Sequence, residues 1–170
     1  MLSKRMQEAL NVQLNAEYYS SYLYLSMAAY AESINLKGFA NWFRIQNQEE
    51  MFHVMKFFAF VIDRRAKVEL KAIEAPPSTW DSPLAVFEDT LKHEQHVTSL
   101  INRLMDSASE EHDNATHTLL QWFINEQVEE ESAADEIVQK LKLIGSEPSG
   151  LYLLDRDLAA RVFVPPPAAA

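Results

Sequence analysis

The sequence predicts an all-α fold: a four-helix bundle with one long crossover between helices two and three, plus a short C-terminal fifth helix. Only 3 glycines occur in the 170 residues, and most of the 7 prolines fall in two clusters. Because Gly and Pro interrupt helices, long stretches are left free to be helical. In four of these stretches hydrophobic residues recur at alternating spacings of three and four, which is typical of helices packed in a bundle.

The first two helices are predicted over residues 3–33 and 38–64. A short turn near Asn35–Gly38 joins them and makes them antiparallel neighbours. The inward positions, spaced alternately four and three residues apart, are called here the seam of each helix. The seams consist of Leu10, Leu14, Glu17, Ser21, Tyr24 and Ala28 in the first helix, and of Phe39, Trp42, Gln46, Glu50, His53, Phe57 and Phe60 in the second.

The third and fourth helices are predicted to form a second antiparallel hairpin with a turn near Ser109–Asp113. The third should begin after Ser82 and Pro83, because serine is a favoured N-cap and proline is favoured at the first helical position. The fourth covers residues 113–144, and Gly145 suits the position beyond its end. The seams consist of Phe87, Leu91, Glu94, Thr98, Ile101 and Met105, and of Leu120, Phe123, Gln127, Glu130, Ala134, Ile137, Leu141 and Ile144.

The connection between helices two and three spans residues 65–82 and carries Pro76-Pro77. An extended chain covers about 3.3 Å per residue, so this connection can exceed about 40 Å. A helix of about 27 residues has a similar length, about 40 Å. The connection can therefore run the whole length of the bundle and leave helices two and three parallel.

A short fifth helix is predicted over residues 147–162, with one apolar stripe formed by Leu151, Leu154 and Leu158. A stripe on a peripheral helix needs a cover, and another subunit is a natural one. Residues 1–163 are expected to form one domain, and the Pro- and Ala-rich residues 164–170 an extended or disordered tail.

Composition excludes several classes of function. A net charge of -10 and a pI of about 4.9 argue against nucleic acid and anionic membranes as partners. The absence of cysteine excludes disulfides and thiolate metal sites. The N-terminus has no apolar core of a signal peptide, and no apolar run is long enough to span a membrane. We therefore expect a cytoplasmic protein.

Six polar residues occupy seam positions where Leu or Phe would be expected, and each lies near the middle of its helix. They are Glu17, Glu50, His53, Glu94, Gln127 and Glu130. The two hairpins also echo each other at an offset of 77 residues, which pairs Glu17 with Glu94, Glu49 with Glu126, Glu50 with Gln127 and His53 with Glu130. Because the midpoints of similar helices share one level, the six side chains should converge inside the bundle.

That convergence is unfavourable unless something neutralises it. Two carboxylates about 5 Å apart repel by about 3 kcal/mol even at an effective dielectric constant of about 20. Burial of each ion costs several kcal/mol more, and no Lys or Arg lies on the seams near the site. Either protons or metal ions must compensate the charge. Oxygen ligands with a single imidazole suit Fe(II), Mn(II) or Zn(II), and Glu50 could bridge two ions.

Several residues near the seams allow two interpretations each. Glu49, Glu126 and Glu129 flank the site and form either an outer cation site or a solvated face. Tyr24 either packs in the core with a hydroxyl hydrogen bond or has a redox role. Trp122 is adjacent to the seam, and we expect it to pack against its neighbours rather than to relay electrons. The four histidines off the seam are predicted to be surface residues: His93, His96, His112 and His117.

The combination of Glu17, Glu50-x-x-His53, Glu94 and Gln127-x-x-Glu130 resembles the ferroxidase centre of bacterial and archaeal non-haem ferritins. Similar stretches surround it: LNAEYYSSYLYLSMA, GFANWFRIQNQEEMFH and LQWFINEQVEEE, at residues 14–28, 38–53 and 120–131. The resemblance spans essentially the whole chain, including the fifth helix. It implies the ferritin-like bundle, in which a single long crossover is the usual connection.

The resemblance also implies a set of ligands and an activity. The first iron would be held by Glu17, Glu50 and His53, and the second by Glu50, Glu94 and Glu130, with Gln127 in contact range or just behind the ligands. A possible third iron would be held by Glu49, Glu126, Glu129 and Glu130. Tyr24 would form a hydrogen bond near the centre, and Trp122 would lie close to it.

The implied activity is oxidation of Fe(II) by dioxygen or peroxide and storage as ferric mineral inside a shell of 24 identical subunits. Met51 stands where bacterioferritins place a haem-ligating methionine, but the second half lacks their Glu-x-x-His pattern, so haem is not expected. Two alternatives stay open. One is a di-iron peroxidase of the rubrerythrin type, although the lack of cysteine argues against an attached rubredoxin-type centre, and the other is a structural bundle without metal.

Overall fold

A computed structural model of the chain describes residues 2–164. Within them the backbone forms five helices and no strand: α1 (Lys4–Ser33), α2 (Lys37–Asp63), α3 (Pro83–Glu110), α4 (Asn114–Ile144) and α5 (Pro148–Leu158). The all-α prediction is confirmed: α1, α2 and α4 begin and end within a residue of the predicted limits, and α3 begins at Pro83 as predicted. Of the predicted tail, residues 165–170 lie outside the described part of the chain.

Local sequence signals set the helix boundaries. The side chains of Ser3, Ser82 and Asp113 each accept a hydrogen bond from a backbone N–H three residues later, so three of the long helices have an N-cap. Pro83 follows Ser82 in the first turn of α3, as predicted. Gly145 ends α4 with φ of 60°, a conformation that favours glycine.

The crossover, residues 64–82, runs along α1 from its first half to its end. The side-chain amide of Asn11 accepts from Glu69 N–H at 2.7 Å, and further along Ser26 donates to the Pro77 carbonyl at 2.6 Å. The starts of α2 and α3 therefore lie at the same end of the bundle, where the rings of Phe39 and Phe87 are 5.5 Å apart. This confirms that α2 and α3 are parallel.

The hydrophobic core is divided into two clusters, one at each end of the bundle. One is centred on aromatic residues such as Phe39, Phe43 and Phe87, and the other on residues such as Leu10 and Phe57. The six predicted polar seam residues are all buried, with exposed fractions of 1–8%, and belong to neither cluster. They therefore form a polar layer across the middle of an otherwise apolar interior.

The predicted end of α5 was wrong: the helix stops at Leu158, four residues before the predicted limit. The side chain of Asn41 donates to the carbonyls of Leu158 and Arg161, which holds residues 158–161 in an irregular conformation against α2. Asp155 accepts from the N–H groups of Gly38 and Phe39 at 2.8 and 3.1 Å. The fifth helix thus caps the start of α2.

Within residues 2–164, no helix combines the length and the apolar character that crossing a membrane would require.

Candidate metal centre

Three buried ligand-type side chains from α1 and α2 come together at the polar layer. One atom of each of Glu17, Glu50 and His53 lies within 4.8 Å of the others. The Nδ1 atom of His53 is 3.4 Å from Glu50 Oε2 and 3.9 Å from Glu17 Oε2. The i, i+3 spacing of Glu50 and His53 places both on the face of α2 that meets α1. The sequence predicted this grouping.

The carboxylates of this group are short of hydrogen bonds. Gln13 donates to Glu17 Oε1 at 2.8 Å. In contrast, Glu17 Oε2 and Glu50 Oε2 are buried without any hydrogen-bond partner among the described residues. A buried unsatisfied oxygen is costly, and each such case in a folded protein requires an explanation. Both oxygens face His53, so a cation placed among the three would satisfy them.

Burial controls the charge of the centre. It raises the pKa of Glu17 well above its usual value, and the neighbouring charge of Glu50 raises it further. The pKa of Glu50 is also raised well above normal, by burial and then by the charges of Glu94 and Glu130. Burial therefore favours the protonated form of both carboxyl groups. A divalent cation bound between them would favour the ionised form instead.

The second half of the bundle supplies Glu94 from α3 and Glu130 from α4. Burial, followed by the charges of Glu94 and Glu49, raises the pKa of Glu130 to about 8. Gln127 donates to Glu94 Oε2 at 3.1 Å, and Gln46 donates to Glu130 Oε2 at 2.7 Å. Both carboxylates are therefore oriented by an amide and interact electrostatically with Glu50, although neither belongs to the close group around His53.

Two aromatic side chains, Tyr24 and Trp122, lie against residues of the centre. The Tyr24 hydroxyl donates to Glu94 Oε1, and its ring is fully buried. The Trp122 ring meets His53 edge-on, with ring centroids 5.4 Å apart and planes at 82°. Tyr24 thus has the predicted core position and hydroxyl hydrogen bond, while any redox role stays a prediction.

The flanking residues predicted as an outer site differ in exposure. Glu49 and Glu126 are half-buried, and Glu129 is exposed. Burial is the main cause that raises the pKa of Glu126. The charge of His53 lowers this pKa, and the charges of Glu129 and Glu49 raise it. These three residues therefore share one region of negative charge next to Glu130.

Sequence reasoning missed a cation at this region, because it considered only the seams. Arg161, from the segment after α5, donates to Glu49 Oε2 at 2.7 Å and to Gln46 Oε1 at 2.5 Å. The seams indeed carry no Lys or Arg near the site, but the segment after α5 folds back and supplies Arg161. Nothing in the spacing of the seams could have indicated this contact.

The prediction that His93 is a surface residue was wrong. Its ring is half-buried, with Nε2 2.8 Å from Ser20 Oγ and the ring 6.0 Å from that of Tyr24. Burial lowers the pKa of His93 to about 4, so it is neutral at physiological pH. The residue directly before Glu94 therefore packs between α1 and α3. The other off-seam histidines, His96, His112 and His117, are exposed as predicted.

The donor set fits a divalent first-row metal ion. Carboxylate oxygens and one imidazole are ligands that Fe(II), Mn(II) and Zn(II) accept, and the unpartnered oxygens of Glu17 and Glu50 point to a cation between α1 and α2. Gln127 also lines a cavity of about 340 Å³ between α3 and α4. That cavity gives small molecules space close to Glu94.

Comparison with known proteins shows which family this chain resembles. The ferritin-like domain profile matches residues 7–144. The chain is 42% identical to a bacterial non-heme ferritin of Staphylococcus aureus over 163 residues, which is 96% of this chain and 98% of that protein. It is also 42% identical to a bacterial non-heme ferritin of Bacteroides fragilis over 161 residues, 95% of this chain and 100% of that protein.

Several solved structures are similar to this chain in both fold and sequence. An open-pore ferritin from the hyperthermophilic archaeon Archaeoglobus fulgidus shares 54% identity at a TM-score of 0.95, covering 95% of this chain and all of that one. An engineered closed form of the Archaeoglobus fulgidus ferritin gives the same identity and TM-score, with 96% of this chain covered and all of that one. Since sequence and fold match over nearly the full length of these relatives, the chain belongs to the ferritin family.

Proposed function

We propose that this protein stores and detoxifies iron: it oxidises Fe(II) at the buried centre and keeps the product as ferric mineral inside a hollow homo-oligomeric shell. The observation that carries the proposal is the group of Glu17, Glu50 and His53, whose inward carboxylate oxygens have no partner among the described residues. Membership of the ferritin family supports iron as the substrate. A cytoplasmic location is part of the proposal.

Two Fe(II) ions would be held at the centre. The first would bind Glu17, Glu50 and His53, and the second would bind Glu94 and Glu130, with Glu50 shared because its charge interacts with both of those carboxylates. Gln127 would orient the Glu94 carboxylate through its side-chain hydrogen bond. A third ion would use Glu49, Glu126 and Glu129 together with Glu130.

The reaction balances as a two-electron oxidation. Each of two Fe(II) ions gives up one electron, and dioxygen takes both electrons and two protons to form hydrogen peroxide. With peroxide as oxidant, two Fe(II) ions supply two electrons, the O–O bond breaks, and two protons complete two water molecules. Carboxylates favour Fe(III) over Fe(II), because the higher charge gains more from anionic oxygen ligands. The carboxyl groups of Glu17 and Glu50 release protons as the metal binds.

Oligomerisation into a shell of 24 subunits is proposed from the family and is consistent with the surface of the single chain. Large apolar side chains are exposed at the end of α4 and on α5, including Leu143 at 89% and Tyr152 at 69%. Exposed apolar clusters often mark interfaces. These positions would lie between subunits.

Aerobic Fe(II) addition to the purified protein, followed by absorbance of ferric product, tests the proposal. Glu50→Ala and His53→Ala should abolish rapid oxidation, whereas Glu136→Ala, an exposed change on α4, should leave it intact. Native mass measurement with metal analysis before and after loading should show a large assembly that retains iron. Undiminished oxidation in Glu50→Ala would contradict the proposal. Peroxide consumption without retained iron would favour the peroxidase alternative.

A further inference from the structure

Arg161 makes two contacts that connect the segment after α5 to the outer carboxylates. One guanidinium nitrogen donates to Glu49 Oε2 at 2.7 Å, and the other donates to Gln46 Oε1 at 2.5 Å. Gln46 is completely buried and donates in turn to Glu130 Oε2 at 2.7 Å. One cation from the C-terminal segment therefore contacts Glu49 directly and Glu130 through a single amide.

The guanidinium also fixes the orientation of Gln46. Arginine carries only hydrogen-bond donors, so the Gln46 atom that faces Arg161 must be the carbonyl oxygen. The NH₂ group is then directed at Glu130. Because an amide directed this way can donate to a carboxylate, Arg161 positions Gln46 as a donor to Glu130.

Arg161 is held in this place by its surroundings. The backbone carbonyl of Arg161 accepts from the Asn41 side chain at 3.0 Å, and the guanidinium carbon is 4.9 Å from the centroid of the Trp42 ring. About 27% of the Arg161 side chain and 23% of the Glu49 side chain are exposed. A pair this shielded is less screened by water and salt than a fully exposed one.

We propose that the Arg161 guanidinium is the resident cation of the outer carboxylate site and that it competes with metal for Glu49 and Glu130. The inference rests on the proposed function, which places a third iron at Glu49, Glu126, Glu129 and Glu130. Arg161 and Gln46 already bind the Oε2 atoms of Glu49 and Glu130, so a metal ion that uses these oxygens would displace them. Metal binding at this site and docking of Arg161 therefore oppose each other, and the coupling is reciprocal.

This arrangement gives Arg161 a role in iron transit. The guanidinium neutralises Glu49 while the outer site is empty, and it weakens the outer site relative to the inner pair. Iron held loosely at an outer site can leave towards the mineral more readily than iron at the buried centre. Arg161 is thus a positioning residue, since it acts through Glu49 and Gln46 and does not touch the inner ligands.

Zn(II) titration of the metal-free, assembled protein by calorimetry tests the proposal, because Zn(II) binds without redox change. Arg161→Gln should tighten the weakest class of sites by roughly three- to tenfold, the range expected for removal of one partly shielded competing ion pair. Arg161→Lys keeps the charge and should stay close to the wild type. The control is Arg156→Gln, because the ion pair of Arg156 within residues 2–164 is with the adjacent Asp157.

Hydrogen exchange gives a second readout that does not depend on activity. Zn(II) at saturating concentration should increase backbone exchange in the peptide covering residues 158–164 of the wild type, and it should do so less in Arg161→Gln. Unchanged or weaker outer-site affinity in a folded Arg161→Gln variant would overturn the proposal. Tight Zn(II) binding at the inner pair without a second, weaker class of sites would also overturn the proposal, although the proposed function would then stand. Absence of all Zn(II) binding would overturn both.

Discussion

Replacement of Glu130 by Gln should stabilise the metal-free protein at alkaline pH. Burial, with the charges of Glu94 and Glu49, raises the pKa of Glu130 from 4.5 to about 8. The folded state therefore keeps a proton that the unfolded state loses, and stability falls as pH rises from about 4.5 to about 8. Each pKa unit corresponds to about 1.4 kcal/mol, so ionisation of Glu130 costs at most about 5 kcal/mol. Gln has nearly the same shape and avoids that cost.

Thermal unfolding of metal-free wild type and Glu130→Gln at about pH 5 and about pH 9 measures the effect. One kcal/mol corresponds to about 2–4 °C in Tm for a chain of this size, so the variant should melt up to about 10–20 °C higher at the alkaline pH. At the acidic pH the two should melt nearly together. The control Glu136→Gln changes an exposed carboxylate on the same helix and should shift Tm by little at either pH. Equal Tm of Glu130→Gln and wild type at alkaline pH would refute the reasoning.

Three further predictions follow from individual contacts. Asp155→Ala should lower the free energy of unfolding in urea by about 1–2 kcal/mol, because it removes the cap of α2. The control Asp157→Ala removes an ion pair with exposed Arg156 and should change this free energy by less than about 0.5 kcal/mol. Zn(II) binding near neutral pH should release protons, because burial raises the pKa of Glu17 and Glu50. Calorimetry in buffers of different ionisation enthalpy measures this release, and binding without it would contradict the prediction. Tyr24→Phe should shift the pH profile of initial oxidation rates to higher pH. Burial raises the pKa of Glu94 and the Tyr24 hydrogen bond lowers it, so loss of that hydrogen bond raises the pKa further; an unchanged profile would exclude that role.

The helices and the inner site could be predicted from the sequence because both depend on local spacing. Alternation of three and four residues determines which side of a helix is buried, and N-cap signals such as Ser82 with Pro83 determine where a helix begins. Residues at the middle of four similar helices must share one level. The positions of Glu17, Glu50 and His53 follow from these two facts alone.

The contacts made by the C-terminal segment could not be predicted in this way. Arg161 lies 112 positions from Glu49, and Asp155 lies 117 positions from Gly38. Neither pair follows from a helical period, because the direction in which α5 folds back is set by tertiary packing. A Cβ atom on Gly38 would lie 1.6 Å from the Asp155 carbonyl oxygen, so this glycine marks the close approach. Its role becomes visible only once the partner is known.

His93 was misassigned for a related reason. It stands one position from the seam residue Glu94, and a helix face next to the seam is exposed only if no other element covers it. Here Ser20 and Tyr19 of α1 lie against it, and the crossover passes nearby at Glu74. The seam pattern describes contacts inside the bundle and contains no information about this outer layer.

Anomalous X-ray scattering at the iron edge, from crystals loaded with Fe(II) without oxygen, tests the central claim most directly. We expect iron density between Glu17, Glu50 and His53, within coordination distance of the Glu17 and Glu50 oxygens that have no hydrogen-bond partner among residues 2–164. Density confined to the exposed surface, with these three side chains unchanged and no iron between them, would contradict the account.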